Sequence, residues 1–440
     1  MHDLISLITN PAIISIICLC ILCLKKVNVL LAIIISTLLA GLISGMNIKY
    51  LMNIFISGMG GNSETALSYI LLGAFAATMA HSGFTNKISI KISELVKDNK
   101  YILLFILCLI AMVSQNLIPI HIAFIPIIIP PLLKTMNLLK IDRRAIASVL
   151  AFGLKMPYIT IPVGFGLIFQ NLIADNMVQN GVQVLRADIW KSTLILGLGM
   201  FLALIIAVFV SYRKARNYED KPLVVGEVKE DIPCSKYTVY VVAIAALLTF
   251  ITQLFTQSLP LGALVGLGVV FSLNVIPKNK MDHMMNEGIY LMGYVAFVML
   301  VAAGFASVLK ETGSIEALVT TALNIMPENL ILISLTMLVL GLFITIGIGT
   351  SFGTIPILAV LFVPICAKMG FNTSQIVVLL AAAAALGDAG SPASDTTLGP
   401  TAGLNADGQH NHIYDTCIPT FLHYNIALII FALIGVYILG

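Results

Sequence analysis

The chain has 440 residues, of which 59% are hydrophobic and only 10% are charged, and its formal net charge is +3. Soluble domains contain roughly 45–50% apolar residues, so this composition excludes a soluble globular protein and predicts a chain that crosses a lipid bilayer many times. The small net charge gives no reason to expect a nucleic-acid partner. The seven cysteines favour neither a disulfide framework nor a metal cluster, because their number is odd and three lie in the first apolar run.

The apolar runs form two groups of about seven, separated by a hydrophilic stretch over residues 212–236. The first group lies near residues 4–24, 28–45, 66–80, 101–118, 120–133, 145–172 and 190–211. The second lies near residues 237–256, 259–276, 288–309, 329–347, 352–367, 374–386 and 416–439. The first run has no preceding basic residue and no cleavage-site pattern, so we interpret it as a retained membrane helix. We expect an all-α polytopic membrane protein with about 11–14 membrane segments.

The two halves show the same order of features. Residues 77–83, 124–127 and 153–157 correspond to residues 307–313, 354–357 and 387–392. In the first half, the loop after the third run carries four lysines: Lys87, Lys91, Lys97 and Lys100. Its counterpart in the second half is acidic and carries Lys310, Glu311, Glu316 and Glu328. Because lysine favours the cytoplasmic side of short loops, these two loops should lie on opposite sides of the membrane. We predict an inverted repeat in the cytoplasmic (inner) membrane, with halves at 1–211 and 237–440, a cytoplasmic linker at 212–236 and external termini.

Glycines, prolines and polar residues interrupt the apolar runs in two matching pairs. Residues 114–121 correspond to residues 347–356, and residues 153–166 correspond to residues 387–403. Proline and glycine stop the helical hydrogen-bond ladder and leave free carbonyl and amide groups that can bind ions. Transporters with inverted repeats place their sites near the midplane, where such broken helices meet. We therefore look for the working site at these breaks.

Asp388 and Asp395 are the carboxylates of the most polar break. Oxygen ligands suit hard cations, so we expect this pair to coordinate Na+ or to exchange a proton. Four hydroxyl side chains of the same segment are expected to assist: Ser391, Ser394, Thr396 and Thr397. The alternative is that the two aspartates only cap the flanking half-helices.

Lys155 lies in the matching break of the first half. A buried ammonium is costly unless it is paired, so Lys155 is a candidate for a built-in cation opposite Asp388 or for a proton carrier. The alternative is a lysine whose head group snorkels to the cytoplasmic edge near Arg143 and Arg144.

Uncharged polar residues at the breaks are the candidates for substrate binding. The candidates at the first pair of breaks are Asn116, Thr350, Ser351 and Thr354, which suit a substrate carboxylate or complete an ion shell. Pro157, Gly387, Asn405 and His423 complete the predicted substrate site. His121, His412 and Asn425 are weaker candidates. Packing between helices is the alternative for these polar residues. Glu64 and Glu287 are expected to be interfacial.

The segment G-D-A-G-S-P-A-S-D-T-T at residues 387–397 resembles the G-D-x-x-S-P-x-S-D-T-T signature of the NhaC-type Na+/H+ antiporter family, in the ion transporter superfamily. Residues 403–412 and 419–425 resemble a branch of that family regarded as amino-acid transporters, with histidine among the proposed substrates. The resemblance implies two inverted repeats, re-entrant hairpins and cation coupling, and by analogy a homodimer.

These observations lead to a functional hypothesis. We expect a secondary active transporter that couples a Na+ or H+ gradient to movement of a small solute such as an amino acid, by alternating access and without a cofactor besides the coupling ion. Simple Na+/H+ exchange is the alternative, and an ion channel is the alternative from another class. The chain has no P-loop, no H-E-x-x-H pair and no recognisable nucleophile elbow, which argues against an ATPase or an enzyme.

Overall fold

The computed structural model describes residues 9–25, 27–60, 63–96, 99–116, 125–126, 128–162, 165–222, 235–256, 258–314, 317, 321 and 329–440. Within these ranges every regular element is a helix, which confirms the expected all-α class. Among the described residues, four helices are long and apolar enough to cross a membrane: Arg186–Ser211, Lys236–Gln253, Met292–Glu311 and His412–Ile438. The pair Arg143–Thr160 and Phe165–Val178, bent by 53°, is either a fifth, broken span or a re-entrant loop, and six shorter apolar helices lie within the same described ranges. The exact number of membrane segments stays a prediction.

The helices before the linker are α1 (Pro11–Leu24), α2 (Val29–Ile43), α3 (Ile48–Met59), α4 (Ser63–His81), α5 (Phe84–Val96), α6 (Lys100–Asn116), α7 (Leu133–Leu138), α8 (Arg143–Thr160), α9 (Phe165–Gln179) and α10 (Ile189–Ile206, continued by a π turn, Ala207–Ser211). Those after it are α11 (Lys236–Thr256), α12 (Leu259–Ser272), α13 (Met281–Glu311), α14 (Leu330–Ile348), α15 (Ser351–Lys368), α16 (Thr373–Ala385), α17 (Asp395–Leu404) and α18 (His412–Ile438).

The described start of the linker, residues 212–222, packs against one end of the helix bundle. We call this end the linker face. Lys100 Nζ donates to the Arg213 carbonyl at 3.1 Å, and Arg216 pairs with Asp415 at 2.9 Å. At the other end, Asn10 Nδ2 donates to the Ser314 carbonyl at 2.8 Å. Lys100 and the start of the linker, which the charge pattern assigns to the cytoplasm, thus meet on the linker face.

Helices α8 and α16 enter the bundle from opposite faces. Asp142 caps the start of α8 and lies 3.7 Å from Arg216 on the linker face. Asn372 caps the start of α16 and donates to the Leu439 carbonyl, which lies beyond the far end of α18. The two helices are therefore antiparallel, as expected for corresponding elements of an inverted repeat. The repeat as a whole, with its domain boundaries, stays a prediction.

The break in the first half begins later than the sequence analysis predicted. Helix α8 runs without interruption through Lys155 and Pro157 and ends at Thr160. A proline removes one amide from the hydrogen-bond ladder, and membrane helices tolerate this when neighbouring groups satisfy the freed carbonyl. The ladder ends where the Ile161 amide donates to the Pro157 carbonyl at 2.7 Å. Lys155 therefore lies on a regular helix, and the break follows it.

Of the other three predicted breaks, the structure describes two, both in the second half of the chain. Between α14 and α15, Gly349 adopts φ +74°, the left-handed conformation that ends α14. Residues 386–394 separate α16 from α17. Helix α6 ends at Asn116, and residues 117–124, which include His121, lie outside the described residues.

A buried ion pair lies at the linker face, at the start of α8. The Arg143 guanidinium donates to both carboxylate oxygens of Asp407, at 2.6 and 2.5 Å, and to the Leu404 carbonyl at 2.8 Å. The Tyr218 ring stacks on it at 4.3 Å. Burial tends to raise the pKa of Asp407, but its hydrogen bonds to Arg143 and Gln409 outweigh burial and hold the pKa below its usual value. This pair joins α8, the loop after α17 and the linker.

Replacing Arg143 by glutamine should lower the free energy of unfolding by about 3–5 kcal/mol, because it leaves the buried Asp407 carboxylate without its partner. The matched control is Arg186→Gln, which breaks the exposed Arg186–Asp175 pair and should cost less than about 1 kcal/mol. Thermal and denaturant unfolding of purified protein measure both values. Equal losses in the two variants would contradict a stabilising role for the buried pair.

Candidate functional site

Helix α8 places Lys155 and Tyr158 on one face, because residues three apart on a helix are neighbours. The Lys155 side chain is fully buried, and Tyr158 is 2% exposed. The snorkelling alternative is therefore wrong for Lys155. Lys155 Nζ forms an ion pair with Asp388 Oδ2, across the boundary between the two predicted halves.

The loop at residues 386–394 turns sharply to present Asp388 to Lys155. Gly387 has φ +80°, and a Cβ there would lie 2.7 Å from the Ile346 amide and the Leu342 carbonyl of α14. Gly390 has φ +101°, and its Cβ would meet the Phe421 backbone at 2.7 Å. Only glycine combines this backbone conformation with such close approach. The two glycines therefore seat the loop between α14 and α18.

Asn425 on α18 clamps the same loop from one side. Its Oδ1 accepts from the Gly387 amide at 3.1 Å, and its Nδ2 donates to the Ala389 carbonyl at 2.8 Å. A single side chain thus satisfies backbone groups on both sides of Asp388. Asn425, a weak substrate candidate in the sequence, holds the loop in place.

The Asp388 carboxylate accepts from four side chains. Lys155 pairs with Oδ2, and Ser351 Oγ and the Tyr158 hydroxyl donate to the same oxygen at 2.6 and 3.2 Å. Ser394 Oγ donates to Oδ1. Asp388 is only 4% exposed, so the charge is buried and fully hydrogen-bonded. We call Lys155, Tyr158, Ser351, Asp388 and Ser394 the central cluster.

The other hydroxyls of this segment bond to backbone carbonyls, of α14 in one case and of the loop itself in the other two. Ser391 Oγ donates to the Ile346 carbonyl at 3.3 Å, and Thr397 Oγ1 to the Ser391 carbonyl at 2.6 Å. Thr396 Oγ1 donates to the Asp388 carbonyl at 3.1 Å. These three residues shape the loop that carries Asp388, and their hydroxyls do not contact its carboxylate directly.

Asp395 occupies a different position from Asp388. Ser394 is the N-cap of α17 and Asp395 is the first residue of that helix, where the helix dipole stabilises a negative charge. Asp395 is partly exposed, and the fully buried Tyr69 hydroxyl of α4 lies near enough to interact with it. Ser394 Oγ lies 3.4 Å from Asp395 Oδ1, so it links the two carboxylates.

The start of α15 lies beside the central cluster. Thr350 is its N-cap residue and forms no side-chain cap hydrogen bond. Thr354 turns its hydroxyl back to carbonyls of its own helix. Phe352 packs on the Tyr158 and Phe169 rings, with centroids 5.6 and 5.5 Å away. An uncapped helix start and an aromatic wall therefore border the cluster.

Several predicted substrate residues are not in the cluster. The backbone of Asn116 ends α6, but its side chain lies outside the described part of the structure. Asn405 follows α17 and accepts from the His410 amide at 3.0 Å. His423 bonds to Ser211 Oγ at 2.8 Å on the linker face. Asn405 and His423 therefore lie apart from Asp388.

Pro157 and Gly387 contribute backbone geometry and no polar side chain. Tyr158 and Tyr69 were missed in the sequence. Tyr158 could have been suggested by its spacing from Lys155, since a polar residue at i+3 shares its face. Nothing in the local sequence connects Tyr69 to Asp395, because the contact depends on the packing of two distant helices.

The central cluster has ligands that suit a hard cation, but the Lys155 ammonium already occupies the position that such a cation would take. A carboxylate and serine hydroxyls are oxygen ligands of the kind that Na+ prefers. The Lys155 ammonium already neutralises the carboxylate, so an added cation would have to displace it. The arrangement can therefore exchange one positive charge for another.

Replacing Gly390 by alanine should lower the free energy of unfolding by more than the roughly 1–2 kcal/mol that a left-handed conformation costs an L-residue, because the new methyl group overlaps the α18 backbone. Gly408→Ala is the matched control, since Gly408 has φ +73° but open space around it. Thermal unfolding compares the two. Equal destabilisation would mean that the loop moves freely from α18.

Comparison with known proteins extends these observations. Residues 149–436 match the model of the Na+/H+ antiporter family, and residues 10–96 match a second model, described as the Na+-H+ antiporter family. An uncharacterized membrane protein of Vibrio parahaemolyticus is 44% identical, over 98% of this chain and all of its own. A Bacillus subtilis relative named "Putative amino acid transporter YuiF" is 44% identical, over 88% of this chain and 90% of its own.

Two solved structures are similar at 15% identity. The Alcanivorax borkumensis YdaH transporter covers 89% of this chain and 88% of its own, with a TM-score of 0.47. Neisseria gonorrhoeae MtrF covers 89% of this chain and 84% of its own, with a TM-score of 0.44. The family match over more than half of the chain and the nearly full-length relatives show that this protein belongs to the Na+/H+ antiporter family and is a secondary membrane transporter, not an enzyme.

Proposed function

We propose that the protein couples a Na+ or H+ gradient to the movement of a small zwitterionic amino acid, such as histidine, by alternating access. The observation that carries this proposal is the buried Lys155–Asp388 ion pair, formed between α8 and the loop that follows α16, two helices that enter from opposite faces. The family supports coupling to Na+ and H+. The name of the Bacillus subtilis relative supports an amino-acid substrate.

The ion pair supplies a physical route to coupling. Two buried charges are tolerated together because each neutralises the other, whereas either one alone is costly. A cation that binds Asp388 must displace the Lys155 ammonium. The displaced ammonium, still buried, then loses its proton. Cation entry is thereby linked to proton release, and the reverse steps link proton uptake to cation release.

An amino acid fits the same site, and since a zwitterion adds no net charge, a Na+ that enters with it balances the charge that Lys155 gives up with its proton. The ammonium group of the amino acid can take the place of Lys155 on Asp388, and its carboxylate can reach the uncapped amides at the start of α15, which favour anions. The rings of Tyr158, Phe169 and Phe352 form an apolar surface beside this position. An aromatic side chain such as imidazole can stack on these rings.

Simple Na+/H+ exchange is the second candidate function. It needs only the cation part of the cluster and leaves the start of α15 and the aromatic wall without a role. An ion channel is less consistent with the geometry, because a channel needs a continuous pore and the central carboxylate is closed off by its partners.

We propose further that the protein lies in the cytoplasmic membrane with external termini, as a homodimer that needs no cofactor besides the coupling ion.

Reconstitution into proteoliposomes tests the proposal. We expect uptake of at least one labelled amino acid from a panel that includes histidine, driven by an imposed Na+ or pH gradient. A pH-sensitive dye inside the vesicles reports proton movement at the same time. Proton movement with Na+ alone, and no amino-acid uptake, would favour simple exchange over the proposed function.

Asp388→Asn should abolish coupled transport, because a neutral amide can hold neither Lys155 nor an incoming cation by charge. Asp395→Asn is the comparison variant, and its effect should be smaller because Asp395 is outside the ion pair. Both variants are checked for folding by thermal unfolding and gel filtration. Wild-type coupling in a folded Asp388→Asn protein would eliminate Asp388 as the coupling carboxylate.

Lys155→Ala and Lys155→Arg should both lose proton coupling in the dye assay. Alanine removes the internal cation, whereas arginine keeps a charge that does not release its proton. The pair of variants therefore separates proton release from simple charge neutralisation. If Lys155→Arg retains wild-type proton coupling, Lys155 acts only as a fixed positive charge.

A further inference from the structure

Two histidines and a glutamate meet where α4 ends and α13 begins, away from the central cluster. His81 Nε2 lies 2.7 Å from Glu287 Oε2, and His283 Nδ1 lies 3.5 Å from Glu287 Oε1. The two imidazole rings are edge to face, with centroids 5.5 Å apart. One ligand atom from each residue lies within 4.8 Å of the others.

The transport chemistry makes no use of this group. His283 and Glu287 are four residues apart and so share one face of α13, and His81 faces them from α4. The far end of α13, at Glu311, contacts Tyr50. A helix of 31 residues is roughly 46 Å long, which places the three residues at the opposite end of the bundle from that contact.

The donor set fits a transition metal. Imidazole nitrogen and carboxylate oxygen are ligands of Zn2+, which is bound in many proteins by three side chains and a water. Ligand atoms of a tetrahedral zinc site are roughly 3.3 Å apart, given Zn–N distances of about 2.0–2.1 Å. The distances of 2.7 Å from His81 and 3.5 Å from His283, each to a different oxygen of Glu287, lie on either side of this value.

The group is open enough to exchange ions with solution. The side chains of His81, Glu287 and His283 are 26%, 37% and 60% exposed. His283 can therefore rotate toward the other two ligands at little cost. A hydrogen bond between His81 and Glu287 alone would not require a second imidazole aimed at the same carboxylate.

We propose that His81, His283 and Glu287 form a binding site for a divalent transition metal of the Zn2+ class, which bridges α4 and α13. The ion takes both imidazole nitrogens and one glutamate oxygen, and water completes its shell. Mg2+ and Ca2+ are poor alternatives, because they prefer shells made mostly of oxygen. Helix α4 also carries Tyr69 near Asp395, so the bridge fixes a helix that reaches the transport site.

The test is a Zn2+ titration of the full-length protein, purified with its affinity tag removed and treated with a chelator. Calorimetry or equilibrium dialysis should show one ion bound per chain. His81→Gln, His283→Gln and Glu287→Gln should each weaken binding by at least the roughly 10- to 100-fold that loss of an outer-shell partner costs. His423→Gln is the matched control, because His423 bonds to Ser211 elsewhere, and its affinity should equal that of the wild type.

Co2+ provides an independent readout. Its visible absorption bands distinguish nitrogen and oxygen ligands from cysteine thiolates, and we expect the nitrogen and oxygen pattern in the wild type only. The exposed His283 can be replaced without disturbing the core, so that variant decides the matter even if His81→Gln or Glu287→Gln fails to fold. Absence of stoichiometric binding in the wild type, unchanged affinity in His283→Gln, or a thiolate spectrum would each overturn the proposal.

Discussion

The buried ion pair between Lys155 and Asp388 is the interaction on which the rest of the structure depends. Burying two charges is costly unless they meet with good geometry and their remaining hydrogen-bond capacity is satisfied. Ser351, Tyr158 and Ser394 supply that remaining hydrogen bonding. The helix breaks follow from the same need, because a carboxylate on a loop can be approached from several directions, whereas one on a regular helix faces only one side.

Two features of the surrounding structure position the Lys155–Asp388 pair. One is the set of contacts that hold the loop of Asp388, and the other is helix α8, which carries both Lys155 and Arg143. The loop that carries Asp388 is held by glycines against neighbouring backbone and by Asn425, so its position is determined by α14 and α18. Helix α8 carries Lys155 in its second half and Arg143 at its start, roughly 18 Å away. Motion of α8 would therefore act at the same time on the central cluster and on the Arg143–Asp407 ion pair at the linker face.

The sequence predicted the polar loop and its two carboxylates, because charges in an apolar chain must find partners. A buried Lys155 opposite Asp388 was one of two interpretations that the sequence left open. The sequence could not predict that α8 continues through Pro157, since the cost of a proline depends on what surrounds the freed carbonyl. Nor could spacing show which hydroxyls reach Asp388. Ser394 does and Ser391 does not, because short side chains follow the local turn. Asn405 and His423 lie apart from Asp388 although their motifs are near the loop in sequence, because their contacts are on the linker face.

On the proposed function, the ion pair also explains how a leak is avoided. The empty site is neutral, because the Lys155 ammonium balances the Asp388 carboxylate. The loaded site is neutral too, because the bound cation balances Asp388 while Lys155 has given up its proton. An ionised Asp388 beside a deprotonated Lys155, with nothing bound, would leave one buried charge uncompensated at a cost of several kcal/mol. Only the two balanced states can therefore be populated enough to move between the faces of the membrane, so the cation and the proton cross in a fixed relation.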